Sequence, residues 1–419
     1  MQQQAPGTTA NATNKALRGG AVIAVAVGIM NVSTYGFTIV AARLLGPQAY
    51  GAVASLMNVM LVLGVLQLAL QAVAARRISA NLDHAGEVEK TVLRVGWQAS
   101  VGLAVLCLVL SPALNALLHL HSVATAALVG VAMAPLSLMG AQAGVLQGER
   151  RWTSLSLVYL SMGVSRLVIG VAAVAWHPTE LSGMLGVTLS AFVPTVVGHF
   201  ALRRSRPDRS DAGSGEHRAR ALWIETAHNG QTLLAFFALS NVDLLVARNT
   251  LGSHEAGLYA GGLILVKAGL FLPQFVVVMA FPTMSTAGAR VGTLLKGLGL
   301  LALIGVLTAG GAAALSGLAL IFVGGHQYLA IQHQLWVFAA LGTLLSLLQL
   351  LVYSVLARQA RRSVLLIWAA LVVLVAVGRT ATSFNELLMI VVATDATLFV
   401  ALLALSLLRL RSSERSPVR

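Results

Sequence analysis

The sequence predicts an all-α integral membrane protein of about twelve transmembrane helices, in two six-helix bundles related by a parallel repeat. Three observations carry that prediction. Of 419 residues, 57% are hydrophobic and only 10% are charged, against about 25% charged in a typical soluble domain. Apolar stretches long enough to cross a bilayer, about 20 residues each, follow one another almost end to end. The basic residues sit in the short polar gaps between them, with a strong bias to one side.

The stretches fall at residues 20–42, 51–73, 92–111, 123–146, 153–175, 181–202, 222–247, 257–280, 293–315, 331–356, 363–378 and 387–409. Two shorter apolar runs, near 114–120 and 318–323, either extend the preceding helix or lie in the interface. Of the 28 lysines and arginines, 23 lie in gaps on one side and three (Arg43, Arg248 and Arg379) on the other; Arg166 and Lys267 lie inside helices. A miscounted helix would scramble this alternation, so it supports twelve spans with both termini in the cytoplasm. The same distribution explains the net charge of +14 without nucleic acid, which is not an expected partner.

The organisation follows: a polar tail at 1–17 expected to be disordered, an N-terminal bundle at 18–202, a cytoplasmic linker at 203–220, a C-terminal bundle at 221–409 and a tail at 410–419. The linker holds Pro207, Gly213 and Gly215 among arginines and aspartates, a composition that favours an irregular chain. The single cysteine, Cys107, is in an apolar stretch and makes neither an intramolecular disulfide nor a metal site. No nucleophile or metal constellation is visible and the outer loops are short, which argues against an enzyme. No cofactor is expected.

The two halves are related. Leu45-Gly46 and Gly51 follow the first helix, and Leu251-Gly252 and Gly257 follow the seventh, at an offset of 206 residues. The fourth helix ends Val145-Leu146 before Arg150, and the tenth ends Val355-Leu356 before Arg358. With six spans per unit, both copies keep one orientation, so the symmetry axis runs along the membrane normal.

The string Ala42-Arg43-Leu44-Leu45-Gly46-Pro47-Gln48-Ala49-Tyr50-Gly51 resembles the signature that follows the first helix in polysaccharide-biosynthesis membrane proteins. These are the Wzx-type oligosaccharide flippases of the multidrug/oligosaccharidyl-lipid/polysaccharide (MOP) exporter superfamily. Asn241-Val242-Asp243 with Leu251-Gly252, Ala256-Gly257 and Tyr259 resembles that family's seventh and eighth helices, and Leu146-Gln147-Gly148 with Arg150 its fourth-helix end. The resemblance implies a V-shaped pair of bundles in the bacterial inner membrane. It implies transfer of a lipid-linked glycan from the inner to the outer leaflet, with membrane lipids, a glycan polymerase or glycosyltransferases as partners.

Ionisable groups inside spans are costly and so are functional candidates by default. Lys267 lies near mid-bilayer on the eighth helix, and Gln274, seven residues on, shares its face; a cationic, amide-lined face suits pyrophosphate or sugar hydroxyls. An ion pair of Lys267 with Asp243 is the structural alternative. Asp243 is the candidate for ion coupling, with a pairing to Arg248 equally open. Arg166 is central in the fifth helix, for substrate or for a neighbour's carbonyls, and Asp395 on the twelfth is expected to be structural. Asn31, Tyr35 and Thr38 share one face of the first helix, and Gln67 and Gln71 stand one turn apart on the second. Such stripes are interhelical hydrogen bonds or the lining of a hydrated path. Arg43 completes the candidate path residues. Pro135, Pro194 and Pro273 are expected to kink their helices, and Tyr50, Trp152 and Tyr259 to anchor at the interface. A drug or cation antiporter of the same superfamily is the alternative transporter, and a non-transporting protein of glycan assembly the third reading.

Overall fold

The computed structural model describes residues 7–80, 85–203, 215–284, 291–357 and 361–414. Its elements are helical: α1 (Gly7–Leu63), α2 (Val65–Ala80), α3 (Ala85–Val109), α4 (Ser111–Leu118), α5 (Val123–Gly148), α6 (Trp152–Trp176), α7 (Glu180–Arg203), α8 (Gly215–Thr250), α9 (Ser253–Met284), α10 (Val291–Ala314), α11 (Ser316–Val323), a 3-10 helix (His326–Gln334), α12 (Leu335–Ala357), α13 (Arg361–Gly378) and α14 (Phe384–Glu414).

Nine of the described stretches are long and apolar enough to cross a membrane. The first, Gly20–Ala80, is 61 residues and holds two spans; α9 and the shorter apolar helix Val364–Gly378 complete the expected twelve. The double span is broken at Gly46, whose φ of 71° and ψ of 172° end the first helix. Only glycine adopts that backbone without strain. Pro47, which has no N–H to satisfy, starts the next helical turn. Several helices outrun the apolar stretches: α1 reaches back to Gly7 into the polar tail, α8 begins at Gly215 inside the linker, and α14 runs to Glu414.

The chain divides into two compact units. Unit 1 comprises Met1–Phe37, Leu63–Pro112 and Ser122–Gly230. Its central helix is α5, packed against α2, α3 and α7. The α5–α2 seam is a ladder of Gly140, Gly144 and Gly148: a Cβ on Gly144 would lie 2.6 Å from both the Gln71 carbonyl oxygen and the Ala74 Cβ. Small residues at this spacing let two backbones approach where lipid gives no hydrophobic drive. Beside Pro135 of α5, the Thr195 hydroxyl of α7 donates to the Pro135 carbonyl at 2.7 Å, and the Ser100 hydroxyl of α3 donates to the Ala134 carbonyl.

Unit 2 comprises Thr38–Val62, Ala113–His121 and Gln231–Arg419. Its central helix is α12, packed against α9, α10 and α14. Gly342 of α12 is pressed on Val266 of α9, where a Cβ would stand 2.7 Å from the carbonyl oxygen. The fourth span of each repeat is thus the centre of its unit. The short apolar runs become α4 and α11, eight residues each and in matching places after α3 and α10.

Candidate functional site

Unit 2 gathers the ionisable groups of its interior into one cluster. Asp243, seven residues before the end of α8, is about 10 Å from that end, and Lys267, fourteen residues into α9, about 21 Å from its start. Asp243 is held by two donors: the Leu244 N–H reaches Oδ1 at 2.8 Å and the Tyr259 hydroxyl reaches Oδ2 at 3.1 Å. The Lys267 ammonium donates to Asn58 Oδ1 on the second limb of α1. It remains close enough to Asp243 for their charges to attract. The lysine thus meets an amide instead of closing an ion pair. Asp243 also makes no pair with Arg248, whose guanidinium donates to the Leu118 carbonyl at 2.6 and 3.0 Å.

Asp395 of α14 completes the cluster. It is 2% exposed, lies within electrostatic reach of both Asp243 and Tyr259, and its Oδ1 has no hydrogen-bond partner among the described residues. Two acids of like charge share this interior with one lysine. Tyr259 walls the cluster together with Phe338 and Phe384, with ring centroids 5.4 and 5.8 Å from its own. Gly262 leaves the space that the Phe338 ring fills.

Tyr259 is fully buried and Tyr50 nearly so, so neither is the interface anchor that its place near a helix end suggests. Reasoning from sequence also missed Asn58 as the partner of Lys267, and Asp395 as a neighbour of Asp243. An acid buried in the last span was visible, but nothing in the spacing tied it to the seventh.

Unit 1 carries a different arrangement. Arg166 of α6 is half-buried about 15 Å from the helix end at Trp176. It makes no hydrogen bond or ion pair among the described residues, and its Nε is fully enclosed. It holds no carbonyl among the described residues. The same face of α6 packs on α1: Gly163 meets the Met30 backbone and Gly170 the Phe37 ring.

The remaining candidates are placed as follows. Gln71 donates to Gln147 at 2.9 Å and to the Tyr159 hydroxyl at 2.6 Å, an interhelical network joining α2, α5 and α6. Gln67 packs against Gly140. Asn31 and Thr38 are half-buried and have polar partners; Tyr35 is also half-buried. Arg43 is exposed and donates to the Ile321 carbonyl. Gln274 lies outside the residues whose side chains are described, as does Pro273. No cluster of metal-binding side chains occurs among the described residues.

The described residues thus form an all-helical, multi-pass membrane fold with charges gathered inside its spans. The chain belongs to the polysaccharide biosynthesis protein family, whose model matches residues 16–287. In solved structures the fold is that of a multidrug-resistance MATE family transporter of the MOP superfamily in its inward-facing conformation: TM-score 0.76, 13% identity, covering 93% of this chain and 96% of that one. The eukaryotic MATE transporter AtDTX14 is similar at TM-score 0.66 and 11% identity, covering 95% and 98%. So is a MOP superfamily transporter from Pyrococcus furiosus Vc1 characterised by the reverse polarity of its binding pocket, at TM-score 0.60 and 14% identity, covering 94% and 96%. At such identities the likeness is one of fold. No curated protein sequence matches the chain.

Proposed function

We propose that this protein moves a lipid-linked oligosaccharide or polysaccharide precursor from the inner to the outer leaflet of a bacterial inner membrane by alternating access. The family match over residues 16–287 is the observation that carries this reading. The interior charges give it chemistry. Arg166 is a mid-span cation with no protein partner among the described residues, suited to the phosphate that joins glycan to lipid. Lys267, Gln274, Asn31, Tyr35, Gln67, Gln71 and Arg43 are the further candidates along the path. The Asp243–Asp395 pair beside Lys267 is suited to a coupling cation or proton, with Asp243 the coupling residue.

A polyprenyl tail enters an aqueous cavity at a cost of roughly 0.8 kcal/mol per CH₂, so it stays in the bilayer while only the headgroup crosses. The 23-to-3 distribution of basic residues supports a cytoplasmic N-terminus and C-terminus. The test deletes the gene and identifies by mass spectrometry the lipid-linked intermediate that accumulates. An unchanged lipid-linked pool would refute the reading and favour the antiporter.

A further inference from the structure

The Leu-Gly pattern with a glycine five residues on, at 45–51, recurs at 251–257, and within unit 2 the two copies are brought into contact. Gly51 and Gly257 occupy the same place in the two repeats, 206 residues apart. They face each other: a Cβ on Gly51 would stand 2.8 Å from the Gly257 Cα, and one on Gly257 would meet the Pro47 carbonyl and stand 3.0 Å from the Gln48 nitrogen. Equivalent residues that touch lie on the axis relating the copies. Backbone meets backbone there, so only glycine leaves room.

Two arginines flank this contact in comparable places. Arg43 lies three residues before Gly46 and Arg248 four before Gly252, each after an alanine, so their offset of 205 is one short of that of the glycines. Arg43, in the first repeat, donates Nη2 to the Ile321 carbonyl of α11, in the second. Arg248, in the second repeat, donates Nε and Nη2 to Leu118 of α4, in the first, and Nη2 to the His119 carbonyl at 3.2 Å. Ile321, Leu118 and His119 lie in or just beyond the last turn of their short helices, where carbonyls have no intrahelical donor and the dipole end is negative. Each repeat therefore caps the short helix of the other with its arginine. The Arg43 end has further bonds: Gln327 Nε2 donates to the Arg43 carbonyl at 3.2 Å, and the Tyr328 hydroxyl to the Ala42 carbonyl at 3.4 Å.

We infer that these elements form one symmetric clasp: a glycine contact on the internal axis, fastened by two exchanged arginine caps, that holds the two repeats together at the membrane end carrying the motif. The caps are the only basic residues of that side besides Arg379, so the positive-inside bias leaves arginine there where it has a structural task. For the repeats to separate at this end, both caps and the glycine contact must part together. This rests on the alternating-access reading and names the contacts that set its opening equilibrium.

The test measures accessibility, which is independent of the substrate. Ser55 is fully buried one turn beyond Gly51. In a Cys107→Ser background, Ser55→Cys becomes a reporter for an impermeant maleimide added from the His254 side. In the parent it labels slowly. Each lost cap shifts opening according to its burial: Arg43→Ala raises the rate roughly threefold, and Arg248→Ala, whose guanidinium is buried, roughly tenfold. Gly51→Ala and Gly257→Ala raise it as well, because the added carbon meets backbone. Gly252→Ala, with nothing within 4 Å of its Cβ position, leaves it unchanged. Oxidative crosslinking of Gln48→Cys to His254→Cys slows in the same variants.

Arg43→Ala and Gly257→Ala decide the matter even where Arg248→Ala fails to accumulate. Labelling within twofold of the parent in both, with normal protein levels, would overturn the clasp. If they label fast while gene deletion leaves lipid-linked pools unchanged, the clasp stands and the glycan reading falls.

Discussion

Replacing Arg166 by methionine should make the protein more stable and less active. Insertion scales put an arginine at the centre of a span at about +2.5 to +3.5 kcal/mol, whereas large apolar residues there are slightly favourable. A partner in the fold would offset that cost, and Arg166 has none among the described residues. Its Nε is enclosed but the side chain as a whole is only half-buried, so the full penalty does not apply. The expected gain on removing the charge is then about 1–2 kcal/mol. Methionine keeps most of the packing volume, which limits cavity loss. The assay is thermal unfolding of detergent-solubilised protein, paired with transport in proteoliposomes. Arg166→Met should melt a few degrees higher and transport at least tenfold more slowly, while Arg166→Lys should keep part of the activity. A lower melting temperature would mean that the guanidinium is bound to the protein after all. Normal transport by Arg166→Met would remove it from the substrate path.

Lys267→Ala should abolish transport and lower stability, because Asp243 and Asp395 lose the one cation in their interior; adding Asp243→Asn should restore the melting temperature but not transport, and normal transport by the single variant would exclude Lys267 from the path. Gly144→Leu should cost about 2 kcal/mol or more by overpacking the α5–α2 seam, read as a lowered melting temperature, whereas Gly102→Ala, with open space at its Cβ, should be neutral or stabilising by up to about 1 kcal/mol. Cysteines at Ser210 and Ser413 should resist an impermeant thiol reagent in intact cells and one at His254 should react; labelling of position 210 from outside would reverse the topology.

The spans were legible because each is a long apolar stretch between polar gaps, and the break at Gly46 falls in the gap between the first two of them. Helix ends were less legible. Once begun, a helix continues past the bilayer into polar sequence, as α8 does from Gly215 and α14 to Glu414, and hydropathy reports only the apolar part. The site was partly legible: a lysine and an aspartate inside spans announce themselves by cost. Their partners did not, because Asn58 and Asp395 are brought to Lys267 and Asp243 by packing between distant helices. Tyr259 misled because an aromatic residue near a helix end fits an anchor and a buried donor equally well. Gln71 stood between lining a path and joining helices, and its bonds to Gln147 and Tyr159 show the joining.

The two units differ in how their interior charge is compensated, and under the proposed function that difference would divide the labour between them. In unit 2, Lys267 has an amide partner and one acid, Asp243, within reach, so an incoming phosphate would have to compete with a carboxylate for it. A small cation or proton arriving there instead relieves repulsion between Asp243 and Asp395. In unit 1, Arg166 has no acid to compete with among the described residues. An anion arriving there replaces nothing and ends the exposure of a bare charge to the apolar interior. Binding free energy is gained where the empty site is least satisfied. On the proposed function, the anionic headgroup would then fall to Arg166 and the coupling ion to the acid pair, whereas depth in the membrane alone favoured Lys267 for the phosphate.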